Sequence, residues 1–313
     1  MALLLHLNEV DEDHWLIRLK EKLGSYPIYK KEDKFDPFAI NYILVWKPNL
    51  NAFDDLNNLK AIMSLGAGVD ALLEHKNLPK KVPIVRFVDN DLANCMSEYV
   101  ISHILKHHRL FPHYQNEQKN HLWQQYFPPP AHQRNIGIMG LGELGLDVVK
   151  KLEVFGFNIS GWARSKKNIT SVKTFVGNNE FDEFLSRVDI LVNLLPLTQQ
   201  TKNILNYDNF KKLKRSKNFK PSIINAARGG HQNEADIIKA LNDKTLGAAS
   251  LDVFEIEPLP KNSPLWDLEN CYITPHIAAI SNPQTGVDYF SKILLEHEKG
   301  KPLPNLVDRQ KGY

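Results

Sequence analysis

The chain reads IGIMGLGELG over residues 136–145, and this stretch is the strongest indication of its fold. An apolar run leads into Gly140, Gly142 and Gly145, and helix-forming residues follow them. In this order the first glycine allows a tight turn, the second lets the backbone approach a pyrophosphate, and the third lets helix and strand pack closely. The anion would rest on the N–H groups of the helix start. The stretch therefore predicts a dinucleotide-binding unit, with a plain tight turn as the structural alternative.

The next predicted strand ends in a basic turn. Residues 161–167 read GWARSKK, without the acid that usually meets the ribose 2′-hydroxyl of NAD. An acid would repel a 2′-phosphate, whereas Arg164, Ser165 and Lys166 would bind one through charge-assisted hydrogen bonds. We therefore expect NADP(H) in preference to NAD(H). The alternative is a solvated basic turn.

Short apolar strands alternate with helical segments on both sides of this unit, and such alternation predicts parallel sheets covered by helices on both faces. A polar arm at residues 110–130 interrupts the series and ends in a proline-rich loop. The predicted strands cover residues 2–5, 27–29, 42–46, 61–65, 83–87, 135–139, 158–162, 189–195, 222–226, 247–253 and 271–274. The clearest helical segments cover residues 15–23, 53–59, 96–110, 144–154 and 234–241.

Composition excludes several classes of protein. The 313 residues are 42% hydrophobic and 24% charged, which is typical of a globular chain of two domains. The net charge of +3 argues against a nucleic-acid partner, and the basic run at 211–220 is interpreted as a solvated helix end. Cys95 and Cys271 alone give no disulfide framework. Without a signal peptide or membrane-length apolar run, we expect a cytoplasmic protein that uses no membrane.

Three charged residues follow three predicted strands. Arg228 comes after SIINAA, Glu257 after SLDVF and His276 after CYITP, at the sheet edge where open α/β proteins bind ligands. A guanidinium can hold a substrate carboxylate. An imidazolium can give a proton to a carbonyl oxygen, and a carboxylate beside it favours its charged form. Each residue alone could be structural, but the three together favour an active site for reduction of a 2-keto acid.

A histidine cluster offers a second, weaker candidate site. His103 and His107 share one face of a predicted helix, and His108 follows directly. No acid or cysteine completes the set at a clear spacing, so we predict no metal site.

With these residues in place, the chain resembles the D-2-hydroxyacid dehydrogenase family. The motifs that carry the resemblance are DVFEIEPLP around Glu257 and TPHIAA around His276. Within the family the chain is similar to the glyoxylate/hydroxypyruvate reductase A branch, through LVWKP around Trp46, SLGAGVD at 64–70, WARS at 162–165, NLLPLTQQT at 193–201 and the closing VDRQKGY. The resemblance spans the whole chain.

The resemblance implies a role for each catalytic residue. His276 would be the general acid in reduction, Glu257 its partner and Arg228 the clamp on the substrate. The GAGVD loop would hold the substrate carboxylate through its N–H groups, and a tryptophan would line the far side of the pocket. The implied substrate-binding residues are Trp46, Ala67, Gly68 and Arg228.

On the cofactor side, the resemblance extends the glycine motif. Glu143 and Leu144 would offer N–H groups to the pyrophosphate, while Leu195 and Pro196 would pack near the adenosine half.

The nicotinamide end has two implied contacts. Asp252 would meet the carboxamide, and Met96 would pack against the ring.

The family's fold implies a discontinuous substrate domain. A Rossmann-type dinucleotide-binding domain at 103–283 would be inserted into a flavodoxin-like substrate domain at 1–102 and 284–313. The family is usually dimeric, so we expect a homodimer to which the arm at 110–130 contributes.

The implied activity is NADPH-dependent reduction of glyoxylate to glycolate and of hydroxypyruvate to D-glycerate. One alternative is another D-2-hydroxyacid dehydrogenase that uses NAD(H). Formate oxidation on the same fold is disfavoured, because the family's formate enzymes have glutamine where this chain has Glu257. A dinucleotide-sensing binding protein is the alternative from a different class.

Overall fold

A computed structural model describes residues 1–66, 68–167, 169–170, 172–216 and 219–312. The chain forms two compact units. Unit 1 comprises Met1–Leu92 and Ser281–Tyr313, and unit 2 comprises Ala93–Ile280. Unit 1 is therefore discontinuous in sequence, whereas unit 2 is one continuous stretch. The domain limits expected near residues 102 and 284 stay predictions.

Strands and helices alternate through both units. The strands in the described residues are β1 (Ala2–Leu7), β2 (Ile28–Lys30), β3 (Ile40–Trp46), β4 (Ala61–Ser64), β5 (Ile84–Arg86), β6 (Asn135–Met139), β7 (Asn158–Ala163), β8 (Lys173–Val176), β9 (Ile190–Asn193), β10 (Ser222–Asn225), β11 (Ala248–Leu251) and β12 (Cys271–Ile273). The α-helices are α1 (Glu12–Leu23), α2 (Asp70–Leu73), α3 (Asn90–His108), α4 (Phe111–Lys119), α5 (Glu143–Leu152), α6 (Phe181–Ser186), α7 (Tyr207–Lys212), α8 (Glu234–Asn242) and α9 (Pro283–Glu298). Short 3-10 helices cover Pro37–Ala39, Ala131–Gln133, Glu153–Phe155, Asn178–Glu180, Gly229–His231 and Pro264–Asp267.

Unit 1 contains a parallel sheet in the order β2-β1-β3-β4-β5. Every residue of β1 is buried, because layers on both faces cover a central parallel strand. Helices α1 and α9 pack together, and Trp15 lies against Gly286 so closely that a Cβ at that glycine would clash with its ring. The strand order is that of a flavodoxin-like doubly wound sheet.

Unit 2 contains a parallel sheet in the order β12-β11-β10-β9-β6-β7-β8. Counted from β6, the order is that of a Rossmann fold, with one further strand at the β12 edge. The order reverses between β6 and β9, where ligands bind in such sheets. The predicted α/β class with two doubly wound parallel sheets is confirmed.

Some predicted elements differ from the structure. The helix predicted at 53–59 is wrong: these residues form turns, and Asp55 has a left-handed backbone with φ of +62°. Aspartate and asparagine side chains in this DDLNN stretch compete with helical hydrogen bonds, which favours turns. The short edge strand β8 and helix α4 were not predicted. In the described part of the chain, no helix has the length and apolar character that a membrane crossing requires.

Candidate active site

The glycine-rich turn joins β6 to α5. Gly140 has φ of +97°, and a Cβ there would lie 2.6 Å from the carbonyl oxygen of Leu194. A Cβ at Gly145 would clash with the carbonyl oxygen of Gly140. By contrast, no heavy atom of the described residues lies within 4 Å of the Cβ position of Gly142. Packing thus requires the first and third glycines, while the second faces open space.

This open space fits the pyrophosphate of a dinucleotide. Helix α5 begins at Glu143, and the Gly142 cap has no side chain to accept the first N–H groups. Glu143 is exposed and Leu144 is half-buried at the helix start. An uncapped helix N-terminus beside a glycine is a ready anion site. The described residues here therefore suit the dinucleotide that the sequence predicts.

The basic turn lies directly after β7. Arg164, Ser165 and Lys166 are all exposed, so their side chains are accessible to a ligand. Leu195 is buried beside the glycine-rich turn, and its backbone nitrogen lies 3.0 Å from the Cβ position of Gly140. The carbonyl oxygen of Pro196 accepts a hydrogen bond from Thr201 Oγ1 (2.8 Å), which fixes the loop after β9. The binding roles of these residues stay predictions.

His276 and Glu257 form a direct pair. Nδ1 of His276 lies 2.8 Å from Oε2 of Glu257, and Oε1 of Glu257 accepts the Phe254 N–H at 3.1 Å. The two side chains are 39% and 30% exposed, so water or a substrate can reach them. The contact at Nδ1 orients the imidazole and leaves Nε2 as the ring nitrogen that could face a substrate.

The backbone of His276 is left-handed, with φ of +56°, a conformation that residues other than glycine rarely adopt. Its N–H donates to the carbonyl oxygen of Asp252 at 2.8 Å. The Asp252 carboxylate accepts from Thr274 Oγ1 (2.6 Å) and from the N–H groups of Ile277 and Ala278 (2.8 Å each). Burial raises the pKa of Asp252. The structure thus uses this carboxylate to hold the turn that carries His276, and its predicted contact with a carboxamide stays a prediction.

Arg228 begins the turn after β10. It is half-buried, and its Nη1 donates to the carbonyl oxygen of Ala227 at 2.7 Å. A Cβ at the adjacent Gly229 would clash with the backbone of Phe254. The turn that carries Arg228 therefore packs directly on the loop that carries Glu257.

A buried network of amide side chains next to this site was not predicted from the sequence. Asn193 and Asn225 are the last residues of β9 and β10, and Asn193 Nδ2 donates to Asn225 Oδ1 at 3.0 Å. Asn225 Nδ2 donates to Gln232 Oε1 at 2.8 Å, and all three side chains are fully buried. The available signal was an asparagine at the end of two apolar strands, since a buried amide needs partners.

Of the predicted substrate-binding residues, Trp46 and Gly68 lie in unit 1, whereas Arg228 lies in unit 2. The Trp46 ring packs on the following loop, because a Cβ at Gly66 would lie 2.6 Å from Trp46 Cζ3. Gly68 is exposed, and Ala67 lies outside the described residues. Their roles in substrate binding stay predictions.

Met96, His107 and His108 are buried in unit 2, and His103 is half-buried. Met96 is part of a hydrophobic core cluster, and its contact with a nicotinamide ring stays a prediction. Ser250 Oγ lies 2.7 Å from His103 Nδ1 and 2.9 Å from His107 Nε2. Burial lowers the pKa of His103 to about 4 and that of His107 to about 3. Within the described ranges, no group of three or more His, Cys, Asp or Glu side chains is placed to hold a metal ion.

Comparisons with known proteins match this geometry. The family model described as "D-isomer specific 2-hydroxyacid dehydrogenase, NAD binding domain" matches residues 101–278. The glyoxylate/hydroxypyruvate reductase A of Serratia proteamaculans is 39% identical over 306 residues, covering 96% of each chain. That of Salmonella newport is 37% identical over 307 residues, again covering 96% of each chain.

Solved structures agree with the sequence matches. The NADPH-dependent glyoxylate/hydroxypyruvate reductase of Sinorhizobium meliloti, in complex with NADP and sulfate, has a TM-score of 0.93 and 39% identity, covering 100% of this chain and 99% of that one. A probable 2-hydroxyacid dehydrogenase of Rhizobium etli, in complex with NADP, HEPES and L(+)-tartaric acid, has a TM-score of 0.91 and 40% identity over the same shares. These matches confirm the resemblance that the motifs indicated.

Proposed function

The chain belongs to the D-isomer specific 2-hydroxyacid dehydrogenase family, and on that premise we propose that it reduces small 2-keto acids with NADPH, converting glyoxylate to glycolate and hydroxypyruvate to D-glycerate. The observation that carries the proposal is the 2.8 Å pair of His276 and Glu257 in the same unit as Arg228 and the glycine-rich turn. Reduction of a keto acid needs a proton donor, a carboxylate clamp and a dinucleotide site.

The reaction assigns one step to each side chain. Bound NADPH supplies the hydride that the carbonyl carbon receives. Protonated His276 donates its Nε2 proton to the carbonyl oxygen, which becomes the hydroxyl of the product. Glu257 holds the ring through Nδ1 and stabilises the imidazolium before the transfer. Arg228 clamps the substrate at its carboxylate or its carbonyl oxygen. Trp46, Ala67 and Gly68 keep the substrate-binding roles that the resemblance implies.

The test is the decay of nicotinamide absorbance with glyoxylate or hydroxypyruvate, run with NADPH and with NADH. We expect fast decay that favours NADPH. Decay that favours NADH would keep the chemistry and select the NAD(H) dehydrogenase instead. Tight cofactor binding without decay on these or other 2-keto acids would contradict the enzyme and select a dinucleotide sensor.

The cofactor preference is supported by the exposed basic turn and by relatives whose structures contain NADP. A double substitution, Arg164→Ala with Lys166→Ala, removes the two cations proposed to hold the 2′-phosphate. The KM for NADPH should rise about 10- to 100-fold while that for NADH changes little, since bonds to a charged group are lost. The neighbouring Lys167→Ala is the matched control. Equal effects on both cofactors would contradict a 2′-phosphate site.

We also propose that the protein is a homodimer in which the arm contacts the second copy. The arm exposes four large apolar side chains, Phe111, Leu122, Trp123 and Phe127, with Trp123 at 97% exposure. Several large apolar side chains exposed on one segment are typical of an interface. Hydrogen bonds within the arm hold its two ends together. The Tyr114 hydroxyl donates to the carbonyl oxygen of Tyr126 (3.1 Å) and accepts the Tyr126 N–H (3.0 Å).

Light scattering after size exclusion tests the dimer. We expect a mass twice the 35.9 kDa of the chain, falling to the single-chain value in a Trp123→Ser, Phe127→Ser variant. The matched control is Trp266→Ser, another exposed tryptophan outside the arm. A monomeric wild-type protein would contradict the proposal.

Finally, we propose that the protein acts in the cytoplasm, because 313 residues with only two cysteines suit a reducing compartment. Cell fractionation tests this assignment, and recovery with exported proteins would contradict it.

A further inference from the structure

Two side chains at the start of α8 bridge the loops that carry Arg228 and Glu257. Gln232 Nε2 donates to the carbonyl oxygen of Val253 at 2.9 Å. Glu234 Oε1 accepts the N–H of Glu255 at 2.9 Å. These bonds fix the loop on either side of Phe254, whose own N–H donates to the Glu257 carboxylate.

The orientation of the Gln232 amide is set by backbone groups. Asn225 Oδ1 accepts the N–H of Ala227 at 3.2 Å, so its Nδ2 faces the carbonyl oxygen of Arg228 (3.1 Å) and Gln232 Oε1 (2.8 Å). Gln232 Nε2 must then face Val253. Because Gln232 is fully buried, its amide cannot exchange these partners for water.

The backbone of this segment is equally constrained. The Gln232 N–H donates to the carbonyl oxygen of Gly229 at 2.9 Å, and the Asn233 N–H donates to that of Leu205 at 3.0 Å. Gly229 packs against the backbone of Phe254 without room for a Cβ. A displacement of the Gln232 side chain would therefore be transmitted to the loop rather than absorbed by the segment.

We propose that Gln232 and Glu234 are positioning residues for the reductase reaction, which hold the loop of residues 253–257 against the Arg228 turn and so aim the Glu257 carboxylate at His276. The proposal rests on the proposed function for its kinetic consequence. It extends that function by adding two residues that act through Glu257 and not on the reacting atoms themselves. Among the described residues of unit 2, Glu257 bonds to Nδ1 of His276, and the Asp252 carboxylate interacts with His276 electrostatically.

The test compares Gln232→Leu and Glu234→Ala with a matched control, Ser250→Ala. Ser250 is fully buried in β11, but its hydroxyl bonds to His103 and His107 instead of the loop. In both test variants kcat for glyoxylate should fall about 10- to 100-fold, because a small displacement of a catalytic group is costly, while the KM for NADPH stays within about twofold. The alkaline limb of kcat/KM should move to lower pH. Ser250→Ala should lower the Tm alone, and Glu234→Gln, which keeps an acceptor for the Glu255 N–H, should restore kcat.

A second measurement does not depend on turnover. The titration of the His276 imidazole is followed by NMR in the free protein, with its signal identified among the 12 histidines by its loss in His276→Gln. The midpoint should move to lower pH in both test variants and stay in place in Ser250→Ala. Absence of glyoxylate turnover in the wild type would overturn the proposed function, while this comparison would still decide the positioning role.

One result would overturn the positioning role. It is a lower Tm in the test variants with kcat, the pH profile and the imidazole titration all matching the Ser250→Ala control. If Gln232→Leu does not fold, Glu234→Ala decides, because its side chain is only half-buried.

Discussion

His276 and His107 lie in the same unit and have opposite surroundings. The His276 side chain is 39% exposed and bonds to a carboxylate from a left-handed turn. His107 is 3% exposed, bonds to the Ser250 hydroxyl and has its Nδ1 without a partner among the described residues. His276 bonds to an anion within reach of water, whereas burial lowers the pKa of His107 and keeps its ring neutral. The hydrogen-bond partner and the access to water, rather than the residue type, therefore determine what a histidine does.

The largest effect should come from removing the exposed imidazole. His276→Gln eliminates the proton donor, so kcat for glyoxylate reduction should fall about 10³-fold, within the usual range for general acid catalysis. His107→Gln should leave kcat near the wild-type value. Steady-state assays at saturating NADPH measure both. A loss of kcat in His107→Gln as large as that in His276→Gln would contradict the different roles of the two histidines.

A smaller effect should follow when only the partner of His276 changes. Glu257→Gln keeps the shape of the side chain and removes its charge, so the imidazolium loses its electrostatic support. Relative to the wild type, we expect kcat/KM of the variant to be roughly 10-fold lower at pH 6 and roughly 100-fold lower at pH 8.5. The difference grows because the variant imidazolium, without its anionic partner, loses its proton at a lower pH. The ratio of variant to wild-type kcat/KM across the pH range measures this. A constant ratio would contradict the role of the charge.

The smallest effect concerns stability and belongs to the buried histidine. An unfolded chain protonates His107 near pH 6.5, whereas burial lowers its folded pKa to about 3. The contribution of neutral His107 to the free energy of unfolding is therefore complete above pH 6.5. It is lost progressively as the pH falls toward 3. At pH 5 the loss amounts to about 2 kcal/mol. Urea unfolding at pH 7 and pH 5 should show this loss in the wild type and a smaller one in His107→Gln, at unchanged m-value. Equal losses in both proteins would contradict the assignment.

Much of the fold could be predicted from the sequence because its strands are buried on both faces. Runs such as ILV at 190–192 are continuous apolar segments, and a parallel sheet needs that pattern. Strand β8 was missed because KTFV is short and partly exposed at the sheet edge. The helix prediction at 53–59 was wrong because it relied on the spacing of apolar residues. The aspartate and asparagine side chains between them favour turns.

The candidate site likewise contains residues that the sequence predicts and residues that it does not. Arg228, Glu257 and His276 could be predicted because charged residues just beyond apolar strands are conspicuous, and the edge they share follows from parallel topology. Gln232 could not, because its partner at Val253 is 21 residues away and lies close only through the packing of two loops. Nor does spacing reveal that the Asp252 carboxylate is occupied by the turn around His276.

The discontinuity of unit 1 also affects how the chain folds during its synthesis. All of unit 2 has been made once residue 280 is added, so it can fold while the ribosome still holds the rest. Unit 1 must wait, because α9 covers Trp15 and Leu306 pairs with Val85. A nascent chain stalled before residue 281 would expose the uncovered side of α1. We therefore expect chaperones to bind this side of the N-terminal segment until α9 has been made.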